Sequence, residues 1–211
     1  MSWKRCVVVL ALFALSISLT PGPARATQLL LQTVEQMTYR ADAVVRAVPA
    51  GEAPSVHWTN PDGTGLIVTT TRFRVLETLS GDVGAGTEIA VEHLGGKVGD
   101  MSMMVPGMAV FVPGEEVVLF ARRGTAGQFH VLDLSMGKFE IARGTDGNQR
   151  LTRRDLQGAE VVGETPESPA TLATLRATVG RVASRKLSLL RAGRPLPTLG
   201  SARDAIDEGA K

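Results

Sequence analysis

Sixteen consecutive residues, Leu66 to Gly81 (LIVTTTRFRVLETLSG), constrain the fold more than any other part of this 211-residue chain. They are β-branched, threonine-rich and alternating, the composition of a strand on a pleated, half-buried surface. Ile67, Thr69, Thr71, Phe73 and Val75 share one face, and Val68, Thr70, Arg72 and Arg74 share the other. The pattern predicts that Phe73 and Val75 point inward while the two arginines stay in water. From Leu66 to Leu79, at about 3.3 Å per residue, the strand spans roughly 46 Å, well beyond an average strand. A strand that long coils and serves two sheets of a small barrel. The alternation slips at Leu76–Glu77, where a bulge restores Leu79 to the core.

The chain begins with an address rather than with structure. Lys4 and Arg5 form a charged start, Cys6 to Leu19 is an apolar run, and Ala24-Arg25-Ala26 supplies an A-x-A cleavage site. Residues 1–26 are therefore expected to be a signal peptide, cleaved near Ala26, and the protein is expected to be secreted or periplasmic. An uncleaved anchor is the competing reading. Cys6 lies inside the apolar run, not at its end, so it is not placed for lipid attachment. No other apolar run reaches membrane-helix length, so no membrane span is expected after cleavage.

Cleavage would leave 185 residues, enough for one domain with a real core. It would also change the charge balance to 20 basic against 21 acidic residues, so the formal net charge of +2 belongs to the leader. With no concentrated basic face, nucleic acid is not an expected partner. The expected mature chain has no cysteine, which excludes cysteine nucleophiles and cysteine metal sites there.

Along the chain, Thr33 and Gln36 fit a capping box that opens a short helix. Ala43 to Val48 reads as the first strand, closed by Pro49. Residues 49–65 read as a loop, with Asn60-Pro61-Asp62-Gly63 as its turn. After the long strand, Gly81–Gly86 leads into a strand over Thr87–Leu94. Residues 95–114 form the longest irregular stretch and carry Met101, Met103, Met104 and Met108. Glu116–Ala121 is apolar on both faces, the mark of a central strand covered on two sides. Gln128–Leu134 is expected to pair with it as a hairpin, and Lys138–Ile141 alternates as a further strand. Gln149–Leu151 and Ala159–Val162 are expected as short edge strands. Ser168 before Pro169 looks like an N-cap, and Leu172, Leu175, Val179 and Val182 give 169–190 an amphipathic pattern. Its other side shows Arg176, Arg181, Arg185 and Lys186, and Gly180 weakens its interior. The division expected is a β-barrel domain over 27–163, a C-terminal helix packed on it within 164–190, and a disordered tail over 191–211. The fold class is mainly β: a small antiparallel barrel of the OB type with a short N-terminal and a C-terminal helix.

The segments Ala41–Ala47 (ADAVVRA), Thr69–Asp82 (TTTRFRVLETLSGD) and Pro113–Phe120 (PGEEVVLF), with Gly137-Lys138-Phe139, resemble a group of exported bacterial β-barrel proteins without an assigned activity. The same rhythm is similar to the OB-type barrel of netrin-like modules, including tissue inhibitors of metalloproteinases. These motifs are structural and imply a fold rather than an activity. Those inhibitors chelate the target's zinc with a disulfide-held amino-terminal cysteine. The expected mature start here is Thr27, so that mode of inhibition is not implied.

Candidate chemistry is sparse. His57, His93 and His130 are each about 36 residues apart, without the close pair common in zinc sites. His93 follows the inward phase of Ile89 and Val91, which suits a histidine at the barrel end. Asp133-Leu134-Ser135-Met136-Gly137 lacks the first glycine of a nucleophile elbow, so Ser135 is read as a turn residue. Gly81–Gly86 matches no phosphate-binding pattern. The methionines of 101–108 are read first as a cap on the barrel, second as an adaptable partner surface, and last as a soft metal site. Arg72 and Arg74 form a solvated strand face of the kind barrels bind on. Trp58, beside His57, is an aromatic tip that either touches a ligand or folds back on the barrel. No catalytic residue, metal ligand or cofactor is assigned. The favoured function is a non-enzymatic module for an unknown protein partner, with Met101, Met103, Met104, Arg72, Arg74 and Trp58 as its contacts. A loop-mediated protease inhibitor, or a hydrolase or metal-dependent enzyme with a scattered site, are the alternatives.

Overall fold

The computed structural model describes residues 27–60, 62–144, 147–153, 159–162 and 169–197. The expected leader and most of the expected tail lie outside these residues. In chain order the strands are β1 (Thr27–Leu30), β2 (Ala43–Glu52), β3 (Val56–Thr59), β4 (Gly65–Ser80), β5 (Glu88–Leu94) and β6 (Gly96–Val98). They continue with β7 (Met101–Met103), β8 (Val117–Arg123), β9 (Phe129–Val131), β10 (Lys138–Arg143), β11 (Gln149–Thr152) and β12 (Ala159–Val162). The helices are α1 (Val34–Arg40) and α2 (Leu172–Arg191). None of the described helices is long and apolar enough to cross a membrane.

Five strands close a barrel in the order β8-β2-β4-β5-β9, with β9 returning to β8. This is the OB order. The barrel is antiparallel except where β5 meets β9, at Val91 and Phe129, in parallel. The sheet extends past β8 through β10 to β11, and β1 pairs with β12 as a separate parallel ribbon.

β4 behaves as its alternation requires. Ile67, Thr69, Thr71, Phe73 and Val75 are buried, while Arg72 and Arg74 are exposed. Its pairing with β2 then steps from Val75 to Glu77, leaving Leu76 unpaired, and from Thr78 to Ser80, leaving Leu79 unpaired. Each unpaired residue is a bulge that bends the strand. Phe73 and Val75 thus fill the barrel, whereas Leu79 packs on a second core outside it. That second core holds Val34 and Met37 of α1, Leu172, Leu175 and Val179 of α2, and Phe120, Phe139 and Ile141 of the sheet.

Several boundaries differ from the sequence reading. Pro49 does not close the first strand, which runs to Glu52. Pairing with β8 ends at Ala47, so Pro49 lies where β2 has only β4 beside it and its missing N–H is tolerated. The expected 49–65 loop is mostly strand, because β3 pairs with the start of β4 as a hairpin arm. The irregular 95–114 stretch contains the β6–β7 hairpin. α2 starts one turn later than expected, with Thr171 as N-cap accepting from the Thr174 amide at 3.2 Å. Ser168, the expected cap, is outside the described residues. The helix runs through Gly180 without a break.

Candidate functional site

One end of the barrel is assembled around the first residues of β4. On one edge β3 pairs with them, setting Trp58 opposite Leu66 and His57 opposite Ile67. On the other edge Gly95 donates its amide to Ile67 O at 2.8 Å, and the chain turns through Gly96 into the β6–β7 hairpin. A Cβ on Gly96 would stand 2.3 Å from Ser55 Oγ and 2.4 Å from Thr69 Oγ1, and its φ is +128°. Only glycine lets the hairpin lie this close. Thr69 Oγ1 donates to Gly95 O at 2.7 Å and bonds Ser55 Oγ at 2.8 Å, tying arm, strand and hairpin together. The Ile67 amide donates to Met103 Sδ at 3.3 Å, which fixes that thioether inward.

Residues 105–114 then cross the barrel end as a strap. Phe111 reaches down from it, edge-on to Phe73 at 4.8 Å and to His93 at 5.4 Å between ring centroids. Lys138 Nζ donates to Val110 O, and the Ser135 amide donates to Gly107 O at 3.0 Å. A cleft opens on each side of the strap. The larger, of about 210 Å³, is walled by Met103, Met104, Met108, His93 and Phe111, with Glu52 at its rim. The smaller, of about 190 Å³, holds His93, Met108, His130 and Leu134. His93, Leu94, Met108 and Ala109 face both.

His93 is the polar centre of this end. Its Nε2 lies 3.2 Å from Thr71 Oγ1. Burial pushes its pKa below the ordinary imidazole value, against the opposing pull of the Glu52 carboxylate and the Leu94 backbone. The shift favours the neutral ring. His130 sits across the smaller cleft, its Nδ1 3.3 Å from Glu92 O.

The strap's anchor escaped the sequence reading. Clean alternation over Lys138–Ile141 suggests a half-exposed strand, yet Lys138 and Glu140 are both buried. Lys138 Nζ lies 3.1 Å from Glu140 Oε1, 3.4 Å from Glu115 Oε2 and 5.6 Å from the Phe111 ring centre. The pair is satisfied because the strap and Glu115 cover the face that alternation assigns to water. A buried ammonium needs such partners, since each unpaired buried charge costs several kcal/mol. Phe111 is equally silent, lying in a stretch with no period to place it, whereas Met108 is read with its neighbouring methionines as a cap on the barrel.

Among the expected contacts, Met101 is 50% exposed and Met104 is 91% exposed. Met103 is half-buried. Trp58, at 62% exposed, stands out from the arm instead of folding back. The methionine hairpin and the Trp58 arm therefore flank the same end of β4. Arg72 and Arg74 do not join them in either cleft; they lie further along the outward face of β4, Arg74 opposite Glu88. His93 and His130 share the smaller cleft, while His57 is on the arm. Ser135 is 2% exposed within the turn after β9. Among the described residues, no three or more His, Cys, Asp or Glu side chains are grouped to hold a metal ion. No protein-family model matches the chain, and no curated protein matches its sequence.

Proposed function

We propose that this chain is an exported, non-enzymatic interaction module that takes an apolar segment of a partner protein at the hairpin end of its barrel. The observation that carries the reading is the exposure of Met104 and Val110 on the larger cleft, with Met101 of the same hairpin and Val112 of the same strap exposed as well. Apolar side chains gathered in water are costly unless something covers them, and unbranched thioethers adapt to an irregular partner. The Trp58 arm extends the same surface and offers a rigid aromatic anchor of the kind that dominates interfaces. OB barrels bind on the face of their second and third strands with the loops that join strands one to two and four to five, and the arm lies between the first and second of the five. Export is supported by the charged start, apolar run and A-x-A site.

The test separates surface from core. Met101→Gln with Met104→Gln in one chain is expected to leave the unfolding midpoint within about 0.5 kcal/mol, because both side chains are exposed. The same variant is expected to lose capture of partners from the exported fraction, identified by cross-linking at position 104. Undiminished capture and the same cross-linked peptides would overturn the reading. Capture that survives this change but is lost with Arg72→Ala and Arg74→Ala would move the surface to the outer strand face.

A further inference from the structure

The inner thioethers of the larger cleft face a different task from the exposed ones. Met103 and Met108 line it with His93, and Met104 stands on its rim. Met103 is held inward by the Ile67 amide on its sulfur, and His93 is oriented by Thr71 beneath it. An oriented imidazole backed by a hydrogen-bonding neighbour is how proteins prepare a metal ligand. The cleft offers three thioethers and one imidazole, soft or borderline donors, beside the single carboxylate of Glu52. Such a set discriminates by softness: divalent zinc, calcium and magnesium prefer carboxylate, imidazole or thiolate clusters, and no such cluster is formed by the described residues. A monovalent ion also pays less desolvation than a dication on entering an apolar cleft. Glu52, which also lines the cleft, adds a negative charge that attracts a cation.

We propose that the larger cleft is a soft-metal site that binds one Cu(I) or Ag(I) ion through the sulfurs of Met103 and Met108 and the imidazole of His93, with Met104 closing over it as a fourth donor. The site does not depend on a partner docking above it.

The experiment uses the full chain carrying Cys6→Ser, which removes its single thiol. Methionines labelled with ¹³C in the methyl group report each sulfur separately by NMR. Ag(I) is expected to shift the methyl signals of Met103, Met104 and Met108, with saturation at one equivalent and Met101 unmoved. Zn(II) is expected to shift none of them. In anaerobic competition against a chromophoric Cu(I) chelator, Met103→Leu with Met108→Leu is expected to bind at least ~100-fold more weakly, since two donors are gone. Leucine conserves the volume, so the unfolding midpoint reports whether the fold is retained. Shifts confined to Met101 or to the amino-terminal methionine would overturn the proposal, as would unchanged Cu(I) affinity in the double variant. If that variant does not fold, the Ag(I) shifts in the unaltered methionines decide the question alone.

Discussion

Leu134 has a φ of 63°, and Asp133 before it has a φ of 47°, so two successive side-chain-bearing residues occupy the left-handed region. Each L-residue there costs about 1 kcal/mol or more. Asp133 is compensated: Arg40 grips it through two bonds of 2.5 and 3.0 Å, and Gln32 adds a third. Leu134 is compensated only by its contact with the smaller cleft. Leu134→Gly is therefore expected to raise stability, by up to about 1 kcal/mol in urea unfolding, because glycine meets that backbone without strain. A lowered midpoint would show that the leucine's apolar contacts outweigh its strain. The sequence makes Ser135 a turn residue, but nothing in Asp133-Leu134-Ser135 announces the left-handed backbone of this turn; a glycine or asparagine would have. The same blindness hid Lys138 and Glu140, because alternation tells which face a residue takes but not what later covers that face. At this scale the sequence is informative about Phe73, Arg72 and Arg74, whose neighbours are fixed within one strand; it reads His93 as a barrel-end histidine and the methionines of 101–108 as a cap, but is mute about Phe111 and about how these residues meet through the strap.

Elements with a strong period were legible. β4 and α2 were placed nearly to their ends, since each carries more than three turns or pleats of one unbroken pattern. The short β3, β6 and β7 were missed, because three or four residues give no period, and their pairing is decided by the neighbour. Besides the apolar packing of Leu79 on the helix-side core, an ion pair joins the well-read elements. Arg176 of α2 donates to both carboxylate oxygens of Glu77 on β4, at 2.8 and 2.6 Å, and Arg46 of β2 approaches Glu77 at 3.6 Å. Hydrogen bonds from Arg176, above all, hold the Glu77 carboxyl below its ordinary value of 4.5, with burial opposing and the charges of Arg176 and Arg46 assisting. A depressed carboxyl contributes stability that is present above its unfolded pKa and lost as pH falls through its folded one. Arg176→Met is therefore expected to cost about 1 kcal/mol at pH 7, a figure held low because both side chains are about a third exposed. The gap between variant and parent should narrow below about pH 4.5, read from unfolding midpoints at a series of pH values. A gap that persists unchanged to pH 2 would show that the arginine acts through packing instead.

The molecule as a whole is two apolar cores that share the same strands. Val44 of β2 and Val118 and Phe120 of β8 face the helices, while Ala43, Val45, Val117 and Leu119 face the barrel interior. The continuous apolar run of Glu116–Ala121 made this legible, since only a strand covered on both sides can bury every residue. Two cores built on one pair of strands cannot lose one filling without loosening the backbone that supports the other. Leu175 on the helix side and Leu119 on the barrel side are both fully buried. Each, cut to alanine, is expected to cost about 2–4 kcal/mol. The stronger expectation concerns cooperativity. Leu175→Ala, made in α2, should speed amide exchange in β5, which belongs to the barrel core alone. It should do so by the same free energy that it removes from the global transition. Circular dichroism and Tyr39 fluorescence, the latter from α1, should report coincident unfolding in that variant and in Leu119→Ala. Two separated transitions, or β5 amides indifferent to Leu175, would mean that α1 and α2 ride on a barrel that folds alone. In that case the helices, not the hairpin end, would be the part of the molecule with stability to spare for a partner.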